Sequence, residues 1–169
     1  MAAAPDPRPV LVAYDGSDAA REAVREAADL LGHRFMVVVT VWEPGMAALA
    51  TAPAPDAFGA GPLPPDPETT REVDDAMRHH AEAIATEGTE LARSLGAAAE
   101  PLAVPDELDI ADTLVHLAEE RDAQAVVIGS RGLSGIRSRV LGSTSRRVLD
   151  HCRRPVVVIR GEHGAPGHR

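Results

Sequence analysis

The segment AVVIGSRGLSGIRSRVLGSTS, residues 125–145, holds the pattern that decides the fold of this chain. Its first five residues, Ala125–Gly129, form an apolar run that is too short for a helix. Such a run, rich in β-branched residues and without alternation, is typical of a strand covered on both faces. Glycines and hydroxyl residues follow, and a helical pattern begins near Ser143. The segment therefore predicts a strand, a loop and a helix in that order.

Three further apolar runs of the same kind lie along the chain, at Val10–Tyr14, Phe35–Val41 and Val156–Ile159. A weaker strand candidate lies at Glu100–Val104. Segments with a helical repeat of apolar residues separate these runs. Strands that alternate with helices imply right-handed crossovers and a doubly wound α/β sheet.

Each segment between the strands carries an apolar stripe that should face the sheet. The first helix should begin after an N-cap at Ser17 and end at Gly32. The stripes, in chain order, are Ala20, Ala23, Val24, Ala27, Leu30 and Leu31; Met77, Ala81, Ile84, Gly88, Leu91 and Leu95; Ile110, Leu114, Leu117 and Ala118; and Val148, Leu149 and Cys152.

The length of 169 residues fits one domain, which we place at residues 8–160. The ends of the chain, 1–7 and 161–169, are expected to be disordered tails. Seven of the 14 prolines fall between positions 44 and 70. We therefore expect a long mobile loop over 44–70, with the α/β alternation resuming after it.

Composition narrows the class of protein. Acidic residues outnumber basic ones by 26 to 17, and the resulting net charge of −9 argues against a nucleic-acid partner. The N-terminus lacks the features of a signal peptide, and no apolar run approaches the ~20 residues of a membrane helix. The one cysteine, Cys152, excludes an intrachain disulfide. We therefore expect a cytoplasmic protein without a membrane partner.

All 17 basic residues are arginine, and the chain contains no lysine. This excludes a Walker-type phosphate lysine and every catalytic mechanism that depends on lysine. It also excludes a phosphorelay receiver, a class of similar length that requires a lysine near its last strand.

The loop after the strand at 125–129 has the features of a phosphate site. Gly129 and Gly132 allow the backbone to turn sharply and to approach a ligand closely. Gly142 and the hydroxyl residues 143–145 lie at a helix N-terminus, where unpaired N–H groups and the helix dipole favour an anion. Arginine forms a bidentate pair with phosphate, and among positions 131, 137, 139, 146 and 147 we favour Arg131. For any single arginine, a solvated surface position is the alternative.

Asp15 follows the first predicted strand directly, at the edge where doubly wound sheets bind ligands. It can contact ribose or adenine, or help to hold a metal on the phosphates. Capping of the first helix together with Ser17 is the structural alternative.

The spacing Gly129-x2-Gly132-x9-Gly142-Ser143 resembles the ATP-binding signature of the universal stress protein family. The resemblance covers about Arg8 to Arg160 and includes the opening VLVAYDGSDAA (Val10–Ala20). It implies a flavodoxin-like, Rossmann-like fold of three α/β/α layers, with a five-stranded parallel sheet of order 3-2-1-4-5. It also implies ATP as the cofactor, with or without Mg²⁺, and a homodimer joined through the last strand.

The same resemblance implies a set of site residues. Beside adenine and ribose it places Ala13, Tyr14, Asp15 and Val41, and on the floor of the site Ile128 and Gly129. At the phosphates it places Gly132, Gly142, Ser143, Thr144 and Ser145. At the dimer interface it places Val156, Val157, Val158 and Ile159.

Two functions follow from these observations. The first is an ATP-binding regulator that signals stress or energy state to a protein partner. The second is a slow ATPase or nucleotidyl-transfer enzyme that uses the same pocket. We find no general base or nucleophile placed for rapid turnover, so we assign no catalytic residue. The histidines also lack the spacing of metal ligands, so we assign no metal site.

Overall fold

The computed structural model describes residues 8–32, 34–45, 67–106, 109–130 and 141–160. In these ranges, strands and helices alternate along the chain as the sequence predicts. The strands are β1 (Val10–Ala13), β2 (Met36–Trp42), β3 (Ala99–Pro105), β4 (Ala125–Gly129) and β5 (Val156–Ile159). The helices are α1 (Asp18–Leu31), α2 (Pro67–Ser94), α3 (Ile110–Glu120) and α4 (Ser143–His151).

The five strands form one parallel sheet in the order β3-β2-β1-β4-β5. This confirms the flavodoxin-like order that the family resemblance implies. In the central strand, Leu11 lies opposite Val37 of β2 and Val126 of β4. The connections reverse direction between β1 and β4, so a crevice is expected beyond the carboxyl ends of these two strands.

Helices cover both faces of the sheet, and each face has its own hydrophobic core. On one side, α1 and α2 pack against inward residues such as Val12 and Val38. On the other side, α3 and α4 pack against Leu11 and Val37. We name these sides the α1/α2 face and the α3/α4 face. Because successive residues of a strand point to opposite faces, neighbouring positions of β1 belong to different cores.

The ends of the helices show which capping predictions hold. Ser17 caps α1, because its Oγ accepts a hydrogen bond from the backbone N–H of Ala20 at 3.1 Å. Gly32 follows the last residue of α1, but with a φ of −57° it is right-handed and is not the left-handed glycine cap. Asp109 caps α3 by accepting from the N–H of Ala111 at 2.8 Å.

Three residues of the predicted apolar stripes are exposed, so their assignment to the core is wrong. Leu30, Leu95 and Leu149 are 61%, 48% and 42% exposed. Leu95 lies beyond the end of α2, and the other two lie at the margins of their stripes. Helical periodicity locates the centre of a buried stripe more reliably than its edges.

Helix α2 begins at Pro67, so the prediction of a loop over 44–70 is wrong for positions 67–70. Proline is well tolerated in the first turn of a helix, where its missing N–H has no partner to lose. Positions 46–66 of that expected loop, and the expected tails 1–7 and 161–169, lie outside the described residues. Within the described ranges, no helix is long and apolar enough to cross a membrane.

Candidate functional site

A pocket of about 340 Å³ opens on the α3/α4 face at the carboxyl ends of β1 and β4. This is the crevice expected from the strand order, and its volume is typical of small-ligand sites. Two residues of the predicted site, Arg131 and Gly132, lie outside the described residues. The other residues predicted at the nucleotide line the pocket together: Ala13, Tyr14, Asp15, Val41, Ile128, Gly129, Gly142, Ser143, Thr144 and Ser145.

Four further lining residues were not predicted as part of the site: Ala20, Val39, Ile110 and Leu114. The sequence carries a signal for the last three of them. Val39 is two residues from Val41 and therefore shares its face of β2. Ile110 and Leu114 are one helical turn apart on the apolar stripe of α3. The sequence predicts this stripe as core, and its N-terminal end also forms a wall of the pocket.

The inner part of the pocket is apolar. Val39 and Val41 contribute from β2, Ile128 from β4 and Leu114 from α3. These elements form two walls, because the strands lie in the sheet and α3 covers it. An apolar space between a sheet and a helix suits a flat aromatic ring better than a charged group.

The start of α4 supplies a polar side of the pocket. The helix begins at Ser143, and its N-cap is Gly142, which provides no side-chain hydrogen bond to the first turn. The early N–H groups of the helix therefore have no side-chain acceptor on the cap residue, and they carry the positive end of the helix dipole. This arrangement favours an anion such as phosphate.

The hydroxyl of Ser145 has a structural partner. Ser145 is buried, and its Oγ donates to the backbone carbonyl of Gly129 at 2.8 Å. A hydroxyl has one hydrogen to donate, so in this geometry the Ser145 hydroxyl has none for a phosphate, and a phosphate contact through the backbone N–H of this residue stays a prediction. The bond instead fixes the first turn of α4 to the end of β4.

The two ends of the segment after β4 are joined. The N–H of Gly142 donates to the carbonyl of Ser130 at 2.9 Å. The N–H of Ser130 in turn donates to the carbonyl of Ile159 at the end of β5 at 2.7 Å. The N-terminus of α4 is therefore held at the sheet edge next to the pocket.

Gly129 is required by a close approach within the protein. A Cβ atom at this position would lie 2.9 Å from the carbonyl oxygen of Ala19 in α1. The sequence predicts this glycine at a sharp turn and a close approach to a ligand. The structure adds a packing reason, because the first turns of α1 pass directly over the end of β4.

Tyr14 lies at the pocket, but its ring packs in the core of the α1/α2 face. Its hydroxyl donates to Oε1 of Glu87 at 2.8 Å, and the same oxygen accepts from Arg21 at 2.9 Å. Burial, followed by the hydrogen bond and negative charge of Glu87, raises the pKa of Tyr14 to about 12, with Arg21 acting in the opposite direction. The hydroxyl therefore belongs to this network on the α1/α2 face, and the backbone N–H and carbonyl of Tyr14 are bonded to Val39 and Thr40.

Asp15 has the structural role that the sequence offers as the alternative, and its contact with a nucleotide stays a prediction. Its Oδ1 accepts a hydrogen bond from the N–H of Ser17 at 3.0 Å, which shapes the turn before α1. The same residue lines the pocket. Within the described ranges, no group of three or more histidine, cysteine, aspartate or glutamate residues is arranged to hold a metal ion.

The predicted phosphate arginines divide into two groups. Positions 131, 137 and 139 lie outside the described residues. Arg147 is paired with two carboxylates of α3, those of Asp109 at 3.0 Å and Asp112 at 2.8 Å. Arg146 is exposed on α4.

Strand β5 lies at an edge of the sheet, as the predicted dimer requires. Val156, Val157 and Val158 are half-buried, whereas the Ile159 side chain is already buried in the core of its own protomer. Pairing of this edge with a second copy stays a prediction, and Ile159 is expected to contribute backbone groups to it.

Comparison with known proteins identifies the relatives of the chain. The universal stress protein family matches residues 7–160. A universal stress protein of Thermus aquaticus, encoded in the QAH/OAS sulfhydrylase 3′ region, is 30% identical over 154 residues, which cover 89% of this chain and 97% of that protein.

Two solved structures are similar in fold and sequence. The universal stress protein from Archaeoglobus fulgidus in complex with dAMP is 26% identical, with a TM-score of 0.55 over 90% of this chain and 97% of that one. A universal stress protein in complex with cAMP is 25% identical, with a TM-score of 0.59 over 92% and 98% of the two chains. The strand order, the pocket and the match over residues 7–160 agree, and the chain belongs to the universal stress protein family.

Proposed function

We propose that this protein binds an adenine nucleotide, ATP in the first place, in the pocket beyond β1 and β4, and signals its bound state to a protein partner. One observation carries the proposal: the pocket joins an apolar inner space to the N-terminus of a helix whose cap residue has no side chain. A base and a phosphate require this combination within one site. The dAMP and cAMP complexes of the two similar proteins support the choice of adenine.

The base occupies the apolar part of the pocket, between Val39 and Val41 on the sheet and Leu114 on α3. Burial of its faces there contributes most of the affinity that does not depend on charge. The ribose lies near Asp15, whose carboxylate accepts hydrogen bonds from sugar hydroxyls.

The phosphates lie against the first turn of α4. The N–H groups of residues 143–145 and the hydroxyls of Ser143 and Thr144 are the donors in this part of the site. Arg131 and Gly132 complete the phosphate site in this proposal, and Mg²⁺ accompanies ATP through its phosphate oxygens.

Binding and signalling are favoured over rapid turnover. Among the described residues that line the pocket, the ionisable side chains are those of Asp15 and Tyr14, and the hydroxyl of Tyr14 donates to Glu87 on the other face. A slow ATPase or nucleotidyl transferase is the alternative. A turnover rate well above background that is lost in Asp15→Ala would establish that alternative.

Gly142→Val tests the site. The new side chain would occupy the space next to the first turn of α4, so calorimetric titration with ATP should show no binding while the far-UV spectrum stays native. Leu149→Ala is the matched control, because this residue lies on the same helix and is exposed. Equal ATP affinity in Gly142→Val and the native protein would refute the site. Mass spectrometry of nucleotides released on heat denaturation identifies the natural ligand.

A further inference from the structure

Arg147 joins the two helices of the α3/α4 face at the pocket. Its Nη1 lies 3.0 Å from Oδ2 of Asp109, and its Nη2 lies 2.8 Å from Oδ2 of Asp112. The two terminal nitrogens of the guanidinium therefore hold different carboxylates, one at the N-cap of α3 and one in its first turn. The planar fork of arginine permits this double pairing, which a lysine ammonium reproduces only in part.

The two helices that Arg147 connects form different walls of the pocket. Ile110 follows Asp109 directly in the chain, and Ile110 lines the apolar part of the pocket. Ser143 lies one helical turn before Arg147 on α4 and lines the polar part. The ion pairs thus connect the wall that would contact the base with the wall that would contact the phosphates.

The same contacts balance charge beside the pocket. Asp109 is the N-cap of α3, and its other oxygen, Oδ1, accepts from the N–H of Ala111. Without Arg147, two carboxylates would remain unneutralised next to residues that line the site. Each would repel a ligand phosphate, and the repulsion would grow with the number of phosphates.

We propose that Arg147 is a positioning residue for the nucleotide site: it fixes α3 against α4 and neutralises Asp109 and Asp112 beside the pocket. This inference rests on the proposed nucleotide binding. The side chains of all three residues are about two-fifths exposed, at 44%, 40% and 39%. Ion pairs so exposed add little to stability, so the main effect of Arg147 is on ligand binding.

The test compares Arg147→Gln with Arg153→Gln. Both variants remove one positive charge, but Arg153 is largely exposed and lies 3.9 Å from Glu119, near the other end of α3. Affinities for ATP, AMP and adenosine are measured by calorimetry at low and high salt. In Arg147→Gln we expect a loss of about tenfold for ATP, a smaller loss for AMP and almost none for adenosine, with weaker effects at high salt.

Two further variants separate positioning from a general structural role. Arg147→Lys should recover part of the ATP affinity, because it restores the positive charge. Adding Asp109→Asn and Asp112→Asn to Arg147→Gln should recover most of it, since the repelling charges are gone and asparagine still caps α3.

Three results would overturn the inference. One is an ATP affinity in Arg147→Gln equal to that in Arg153→Gln. Another is an equal loss for ATP and adenosine together with a lower Tm. The third is a failure of both rescue variants. If the native protein binds none of the three ligands, the proposed function itself is wrong and this inference falls with it.

Discussion

The two faces of the sheet use the end of β1 in opposite ways. On the α1/α2 face, the Tyr14 ring fills the space up to α2, where a Cβ atom on Gly88 would lie 2.8 Å from the ring. On the α3/α4 face, the small side chain of Ala13 leaves room for the pocket. The size of the side chains at two successive positions thus determines that one face is closed by packing and the other stays open to a ligand.

The largest expected effect comes from adding volume on the closed face. Gly88→Val should lower the free energy of unfolding by roughly 2–3 kcal/mol, because the ring of Tyr14 and the Val38 side chain leave no space for it. Urea unfolding measures the loss. Glu90→Val is the control, because this position is exposed on the same helix. Equal stability of the two variants would mean that the closed face can rearrange freely.

Adding volume on the open face should change binding and leave stability almost unchanged. Ala13→Val puts a strand-favouring side chain into the pocket. We expect a change in unfolding free energy within about 0.5 kcal/mol. The ATP affinity should fall at least tenfold, or about 1.4 kcal/mol. Ala98→Val, at an exposed position outside the pocket, is the control. If Ala13→Val binds ATP as tightly as the native protein does, the nucleotide does not bind in this pocket.

The smallest effect concerns pH and tests how well the closed face excludes water. The pKa of Tyr14 is about 12 in the folded protein, against 10.0 ordinarily. A pKa raised by folding contributes stability that is complete below pH 10 and lost as the pH rises towards 12. Tyr14 is the sole tyrosine, so phenolate absorbance reports its titration directly.

Tyr14→Phe should remove this decline in stability between pH 10 and 12. At neutral pH it should cost about 1 kcal/mol, through loss of the hydrogen bond to Glu87. The urea-unfolded chain, which should titrate near pH 10, is the control for the absorbance measurement. A midpoint near 10 in the folded protein would show that water reaches the phenol.

Much of the fold follows from the sequence, because short apolar runs such as Val156–Ile159 and long helical repeats leave few ways to build a parallel sheet. The position of the pocket follows as well. Carboxyl ends of neighbouring parallel strands meet at one edge, so Ala13 and Gly129 had to lie close together. Strand order came from the family resemblance, which the structure confirms.

The remaining details depend on contacts between residues that are distant in the chain. No local pattern shows that the Tyr14 side chain turns towards Glu87, 73 positions away. Nor does it show that Arg147 pairs with Asp112, 35 positions away, instead of with a ligand. A glycine pattern also cannot distinguish a close approach of a ligand from a close approach of a helix. At Gly129 the close neighbour is the backbone of Ala19 in α1.

The central position of β1 has a consequence for synthesis of the chain on the ribosome. Val10–Ala13 emerges before both of its partners, and one of them, Ala125–Gly129, follows only after β2, β3 and three helices. Parallel neighbours cannot form a hairpin in the meantime, so an apolar edge of β1 stays open until β4 is made. The growing chain is therefore exposed to aggregation during this interval, and a chaperone that shields strand edges would have its main effect before β4 emerges.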